Sequence, residues 1–142
     1  MHEQEEQERA TSAPLPAVMA LSYLGDAVYS LYVRRRLVAL GISHAGELNS
    51  LSLVFVTAEA QAKRAKRMLP LLLEWEESVR RRAYNHKGLR PPKHASVAVY
   101  RAATGFEAVL GALEYTKNYE RLFYLLDTLH QGEFEALLQE KK

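Results

Sequence analysis

The stretch Ala20–Arg36, ALSYLGDAVYSLYVRRR, is a long apolar helix pattern with one acid set inside it. Apolar residues recur at Ala17, Leu21, Leu24, Val28 and Leu31, the i, i+3/i+4, i+7 spacing of a buried helix face. Asp26 interrupts the run directly after Gly25. A carboxylate is costly to bury unless it is paired, hydrogen-bonded or bound to a metal. A glycine costs a helix about 1 kcal/mol relative to alanine, but it lets another backbone or a ligand come close. Either the acid sits at the rim of the core facing water, or the pair is kept for a site.

Glu107 repeats the pattern. It lies in ATGFEAVLGALEY, an apolar helix, just after Gly105. Its i−3 and i+4 neighbours are Thr104 and Gly111, and Asp26 has Ser22 and Ser30 at i−4 and i+4. Each carboxylate therefore lies on a strip of small residues. Two such helices packed strip to strip would bring the carboxylates together, where each raises the other's pKa. A hard divalent cation removes that conflict, and Mg²⁺ is commonly held by one or two carboxylates plus water and phosphate oxygens. The competing reading is two unrelated exposed acids.

The 142 residues suit a single domain, and 48% hydrophobic residues suffice for a core. There is no cysteine, which removes disulfides, thiolate metal sites and a cysteine nucleophile, and fits a reducing cytoplasm. No apolar run reaches bilayer length, so no membrane association is expected. The histidines lack metal-ligand spacing, and Ser22 and Ser30 lack a nearby base. The net charge of +2 conceals an asymmetry. Met1 to about Pro14 reads as a flexible acidic tail, with the domain over 15–142. Ser78 to Phe106 holds no acid, while Arg80, Arg81, Arg82, Lys87, Arg90, Lys93 and Arg101 all fall there. That is a local footprint for a polyanion.

Periodicity predicts an all-α chain. The first helix runs from about Pro16 to Leu40, with Gly41 as its stop. Ser43 caps a short helix to about Asn49, and another follows from Leu51 to Met68, with a basic end at Lys63–Arg67. Further helices are expected over Leu71–Tyr84, Ala95–Tyr115, Tyr119–His130 and Glu133–Gln139. Asn85–His94, NHKGLRPPKH, is the one clear irregular loop.

LSYLGDAVYSLYVRR resembles the signature of the ribonuclease III catalytic domain, E-x-L-E-F-L-G-D-A-V, and TGFEAVLGALEY resembles that family's second acidic helix. The likeness covers about Leu15 to His130. The N-H-K-G…P-P-K loop and the Y-R-A-A-T-G-F-E-A string, with no room for a double-stranded-RNA-binding domain after the last helix, are similar to the small Mini-III branch. The resemblance implies a ribonuclease III-like helical bundle forming a two-fold homodimer, with Leu21, Tyr23 and Leu24 at the seam. It implies that Asp26 and Glu107 are catalytic and hold Mg²⁺. Ser22 and Thr104 stand where the larger family has two more acids. Arg80, Arg81, Arg82, Asn85, His86, Lys87, Arg90, Lys93, Arg101 and Thr104 would meet double-stranded RNA. The implied substrate is precursor large-subunit ribosomal RNA in the cytoplasm, with a ribosomal protein as a candidate partner on it. The rivals are a helical RNA-binding ribosome-assembly factor that does not cut, and a purely structural interaction protein.

Overall fold

The computed structural model describes residues 14–140; the acidic tail expected over 1–14 lies, apart from Pro14, outside them. Among the described residues seven α-helices follow in order: α1 (Val18–Ala39), α2 (Ala45–Val56), α3 (Ala58–Met68), α4 (Glu74–Tyr84), α5 (Val97–Tyr115), α6 (Tyr119–Leu129) and α7 (Glu133–Glu140). A 3₁₀ turn, Leu69–Leu71, carries Pro70 between α3 and α4. There is no strand among the described residues, as the helical periodicity predicts.

α5 is the hub. From Ala103 to Leu113 every residue except Glu107 is buried, because α1, α3, α4 and α6 all pack on it. Gly41 ends α1 as expected: its φ is +88°, a conformation that costs glycine nothing. The expected helix from Leu51 to Met68 is instead divided. α2 continues through Val56, and Thr57, with ψ 157°, turns the chain and caps α3 by accepting from the Ala60 N–H at 3.2 Å. His44, not Ser43, is the residue before α2. Thr57→Ala removes one cap bond and should lower stability by about 1 kcal/mol, read as a shift in the denaturant midpoint.

The buried stripe of α1 also differs from the expected one. Val18, Leu21, Ser22, Gly25, Tyr29, Tyr32, Val33 and Leu37 face the core, while Leu24 and Val28 are half-buried and Leu31 is 53% exposed. The helix carries two adjacent apolar stripes. The core takes the one with tyrosines because their hydroxyls find partners. Tyr29 Oη–H donates to His130 Nε2 at 2.8 Å, and Tyr32 Oη–H to Asp127 at 2.6 Å. His130 Nδ1–H donates to the Leu126 carbonyl, so this histidine is a core residue; burial pushes its pKa down to about 4. Phe55 and Phe134 stack beside it at 4.3 Å between centroids.

Two ion pairs, one buried and one partly buried, tie distant helices. Arg121 on α6 grips Glu76 on α4 through Nε at 3.0 Å and Nη2 at 2.8 Å, and also reaches the Leu71 carbonyl. Arg64, 3% exposed, pairs with Glu133 and lies over the Phe55 ring. Arg67 joins the same carboxylate at 2.8 Å. Half of the Lys63–Arg67 cluster is thus a brace between α3 and α7.

Candidate active site

The two small-residue strips meet. A Cβ built on Gly25 would stand 1.7 Å from the Glu107 carbonyl oxygen, and one on Gly111 would stand 1.8 Å from the Leu21 carbonyl oxygen. α1 and α5 therefore cross backbone on backbone, at a distance only glycine permits. Asp26 follows Gly25 and Glu107 lies one turn before Gly111, so the crossing delivers both carboxylates to the same place.

Asp26 is exposed and Glu107 half-buried. Ser22 Oγ–H donates to Glu107 Oε1 at 3.2 Å. The Glu107 pKa is pushed up to about 8, chiefly by burial and then by the neighbouring Asp26. Ser22 and, from α3, Gln61 pull the other way. Gln61, on α3, is a member of the site that sequence reading missed. Its only signal was a polar residue at a buried position of α3, in line with Arg64, Ala65 and Met68. Among the described residues no group of three His, Asp or Glu gathers as a ready-made metal cage. The donor set here is two carboxylates, one of them with a pKa raised by burial and by the other. That frustration suits a divalent cation with oxygen ligands, whose remaining positions go to water or phosphate.

The proton on Glu107 predicts a pH effect on the metal-free chain. A carboxyl raised from 4.5 to about 8 contributes most to stability below pH 4.5, and that contribution is lost as pH rises through about 8. His130 acts oppositely, but only between about 4 and 6.5. Between pH 6.5 and 8 the chelator-treated protein should therefore lose stability. Glu107→Gln should flatten the loss, because its amide donates to Asp26 without titrating. The gain should be on the order of 2 kcal/mol at pH 8, allowing for solvent screening. Thermal unfolding across that range, with and without the substitution, checks it.

The basic residues divide into two sets. Arg80 binds Glu77 through two bonds of 2.7 Å and packs on Gly105, two residues from Glu107. Arg101 Nη1 donates to the Tyr84 carbonyl at 2.7 Å, tying the start of α5 to the end of α4. Thr104 is buried and donates to the Tyr100 carbonyl. These three build the wall. Arg81, Arg82, Asn85, Lys87, Arg90 and Lys93 are exposed, on the end of α4 and the loop 85–96 that lead to the helix carrying Glu107. His86 is half-buried, its Nδ1 accepting from the Gly88 N–H.

Of the residues expected at a seam, Leu21 is 1% exposed inside the core. Tyr23 is 85% exposed and Leu24 half-buried. Leu24, Val28 and Leu31 line an apolar groove with Tyr119 and Phe123 of α6. No described helix is long and apolar enough to cross a membrane.

The sequence pattern of the family described as Ribonuclease III domain matches residues 19–118. Three relatives named Mini-ribonuclease 3 illustrate the likeness. That of Thermoanaerobacter sp. (strain X514) is 42% identical over 109 residues, 77% of each chain. That of Streptococcus pneumoniae is 42% identical over 73% of this chain and 83% of its own. That of Symbiobacterium thermophilum is 43% identical over 76% and 83%. A crystal structure of a protein from Fusobacterium nucleatum superposes with a TM-score of 0.73 at 28% identity, covering 82% of this chain and 93% of that one.

Proposed function

We propose that this chain, which belongs to the ribonuclease III family, is a Mg²⁺-dependent endoribonuclease that cuts double-stranded RNA. The observation that carries the reading is the Gly25–Gly111 crossing, which brings Asp26 and Glu107 together beside a basic rim. Asp26 and Glu107 would hold the ion. When bound, Mg²⁺ supplies charge neutralisation at the scissile phosphate and a water of lowered pKa. The chain's own residues do the rest. Ser22 holds Glu107 turned inward, and Arg80 and Arg101 stiffen the wall. The exposed cations of α4 and the loop meet RNA phosphates, which gives affinity with little reading of sequence. A-form RNA suits such a surface, since it is recognised through shape, 2′-hydroxyls and phosphates.

The apolar groove of Leu24, Val28, Leu31, Tyr119 and Phe123, beside exposed Tyr23, supports a homodimer in which each subunit cuts one strand. The family resemblance favours, as substrate, the stem formed by the two ends of precursor large-subunit ribosomal RNA in the cytoplasm, with a ribosomal protein as a candidate partner on it.

Incubating the chain with a long RNA duplex at low salt tests the reading. Mg²⁺-dependent products with 5′-phosphate and 3′-hydroxyl ends are expected. Binding without cleavage would favour the assembly-factor reading instead. The basic rim has its own test. Changing Lys87, Arg90 and Lys93 together to Ala should weaken duplex binding at least about tenfold and lower the slope of log affinity against log salt by about 3. Cleavage at saturating RNA should hardly change. An unaltered salt slope would remove the loop from the interface.

A further inference from the structure

α4 and α5 run antiparallel and meet at two levels, one helical turn apart on each. At the inner level Gly105 lies against Arg80: a Cβ built there would stand 3.1 Å from both the Arg80 carbonyl oxygen and its Cγ. At the outer level Arg101 Nη1 donates to the Tyr84 carbonyl at 2.7 Å. Tyr84 is the last residue of α4, and the carbonyls of a helix's last turn have no partner within the helix. α4 has cations of its own there, Arg81 and Arg82, but both are exposed. The guanidinium that takes the terminal carbonyl comes instead from α5, across the whole connection 85–96. That connection is longer than the about 2–8 residues that commonly join helices in a bundle. It carries exposed Lys87, Arg90 and Lys93, whose like charges favour spreading. Its own bonds are short-range: the Gly88 N–H donates to His86 Nδ1, the Leu89 N–H to the His86 carbonyl and the Ala95 N–H to the Pro92 carbonyl. Those bonds shape turns within the loop. The Arg101–Tyr84 bond joins its two ends.

We infer that Arg101 is a positioning residue for the basic loop: by binding the Tyr84 carbonyl it closes the loop at its stem and holds Lys87, Arg90 and Lys93 in place before RNA arrives. Sequence reading placed Arg101 among the RNA contacts. The geometry gives it a different task, one that acts through three other cations. A guanidinium on a carbonyl makes a charge-assisted bond, stronger than a neutral one, and a cation at the end of α4 also suits the helix dipole. A loop ordered in advance loses less conformational entropy on binding than one ordered by the RNA. The inner level links this stem to the chemistry. Gly105 is two residues before Glu107, so the loop and the carboxylate hang on the same stretch of α5. The inference rests on the role in RNA binding proposed above for the loop.

The test uses the full chain and a short RNA duplex without divalent metal. Wild type, Arg101→Met, Arg101→Leu and the triple Ala variant of Lys87, Arg90 and Lys93 are compared by affinity and by the slope of log affinity against log salt. Hydrogen exchange of the free chain is followed at the Asn85, His86 and Ala95 amides, which are hydrogen-bonded near the two ends of the loop. Neither Met nor Leu can donate to the carbonyl, and having both guards against one that does not fold. Both Arg101 variants should exchange at least about tenfold faster at these amides. They should bind the duplex about threefold to tenfold more weakly, with the wild-type salt slope, because no phosphate contact is lost. A slope lowered by about 1 in a folded Arg101 variant would overturn the inference, by making Arg101 itself a phosphate contact. So would wild-type affinity or wild-type exchange. Faster exchange along the whole of α4 and α5 would overturn it too, as general softening. A triple variant with the wild-type slope would remove the loop from the RNA interface, and the inference would then fall with the reading it rests on.

Discussion

Asp26→Asn should slow duplex cleavage by about 10³-fold or more while the chain folds as before. Among the described residues Asp26 and Glu107 are the two carboxylates proposed to hold the ion, so losing one removes half of these anionic ligands. Metal ions commonly supply several kcal/mol of transition-state stabilisation in phosphoryl transfer, and each 1.36 kcal/mol is tenfold in rate. Stability should not suffer. Asp26 is exposed, and surface substitutions of this kind usually change stability by less than about 0.5 kcal/mol. In the metal-free chain the substitution also relieves the part of the Glu107 pKa shift that Asp26 adds to burial. Single-turnover cleavage at saturating Mg²⁺, with circular dichroism on the same sample, separates the two effects. Full activity in a folded Asp26→Asn protein would remove Asp26 from the chemistry.

Gly25→Ala should do the opposite, damaging fold and site together. The added methyl would stand 1.7 Å from the Glu107 carbonyl oxygen and 2.9 Å from the Gly111 nitrogen. Those atoms are backbone of the most buried helix, so no side chain can swing aside. The two helices must part by more than an ångström. Overpacking a core typically costs 1–3 kcal/mol and sometimes more. Forcing apart the central pair of helices belongs at the upper end, about 4 kcal/mol. Alanine's better helix propensity returns about 1 kcal/mol. The net loss of about 3 kcal/mol is a large share of the 5–15 kcal/mol that hold a domain together. Because the methyl lands on Glu107's own carbonyl, any surviving fold should hold the carboxylates out of register and bind Mg²⁺ weakly. Thermal unfolding that leaves Gly25→Ala within a degree or two of wild type would contradict this crossing geometry.

The glycine–acid pairs were legible in the sequence because they break a local rule. A charge and a helix-weakening residue side by side in an apolar run call for a reason, and helical spacing alone placed small residues around both acids. The helices were legible for the same cause, the 3.6-residue period. What stayed hidden was set by tertiary partners. Nothing local distinguishes the two apolar stripes of α1. The choice between them depends on Asp127 and His130, about a hundred residues away, which satisfy the hydroxyls of Tyr32 and Tyr29. The break at Thr57 lies between two good helical segments with no glycine or proline to mark it. Arg64 looked like a basic surface residue until Glu133 and Phe55 enclosed it. Gln61 carries no pattern of its own; its place beside Glu107 comes from how α3 packs on α5. In the acid-free stretch, composition marked the region, but only packing separated the cations that brace the wall from those that face outward.

The most direct test of the account is the rate of cleavage of a long RNA duplex as Mg²⁺ is raised from zero, for wild type beside Glu107→Gln. The account predicts no cleavage without Mg²⁺, a saturating rise for wild type, and a baseline for Glu107→Gln about 10³-fold lower at every Mg²⁺ concentration. Cleavage by wild type in the presence of a chelator, or a Glu107→Gln chain that reaches the wild-type rate at high Mg²⁺, would contradict it.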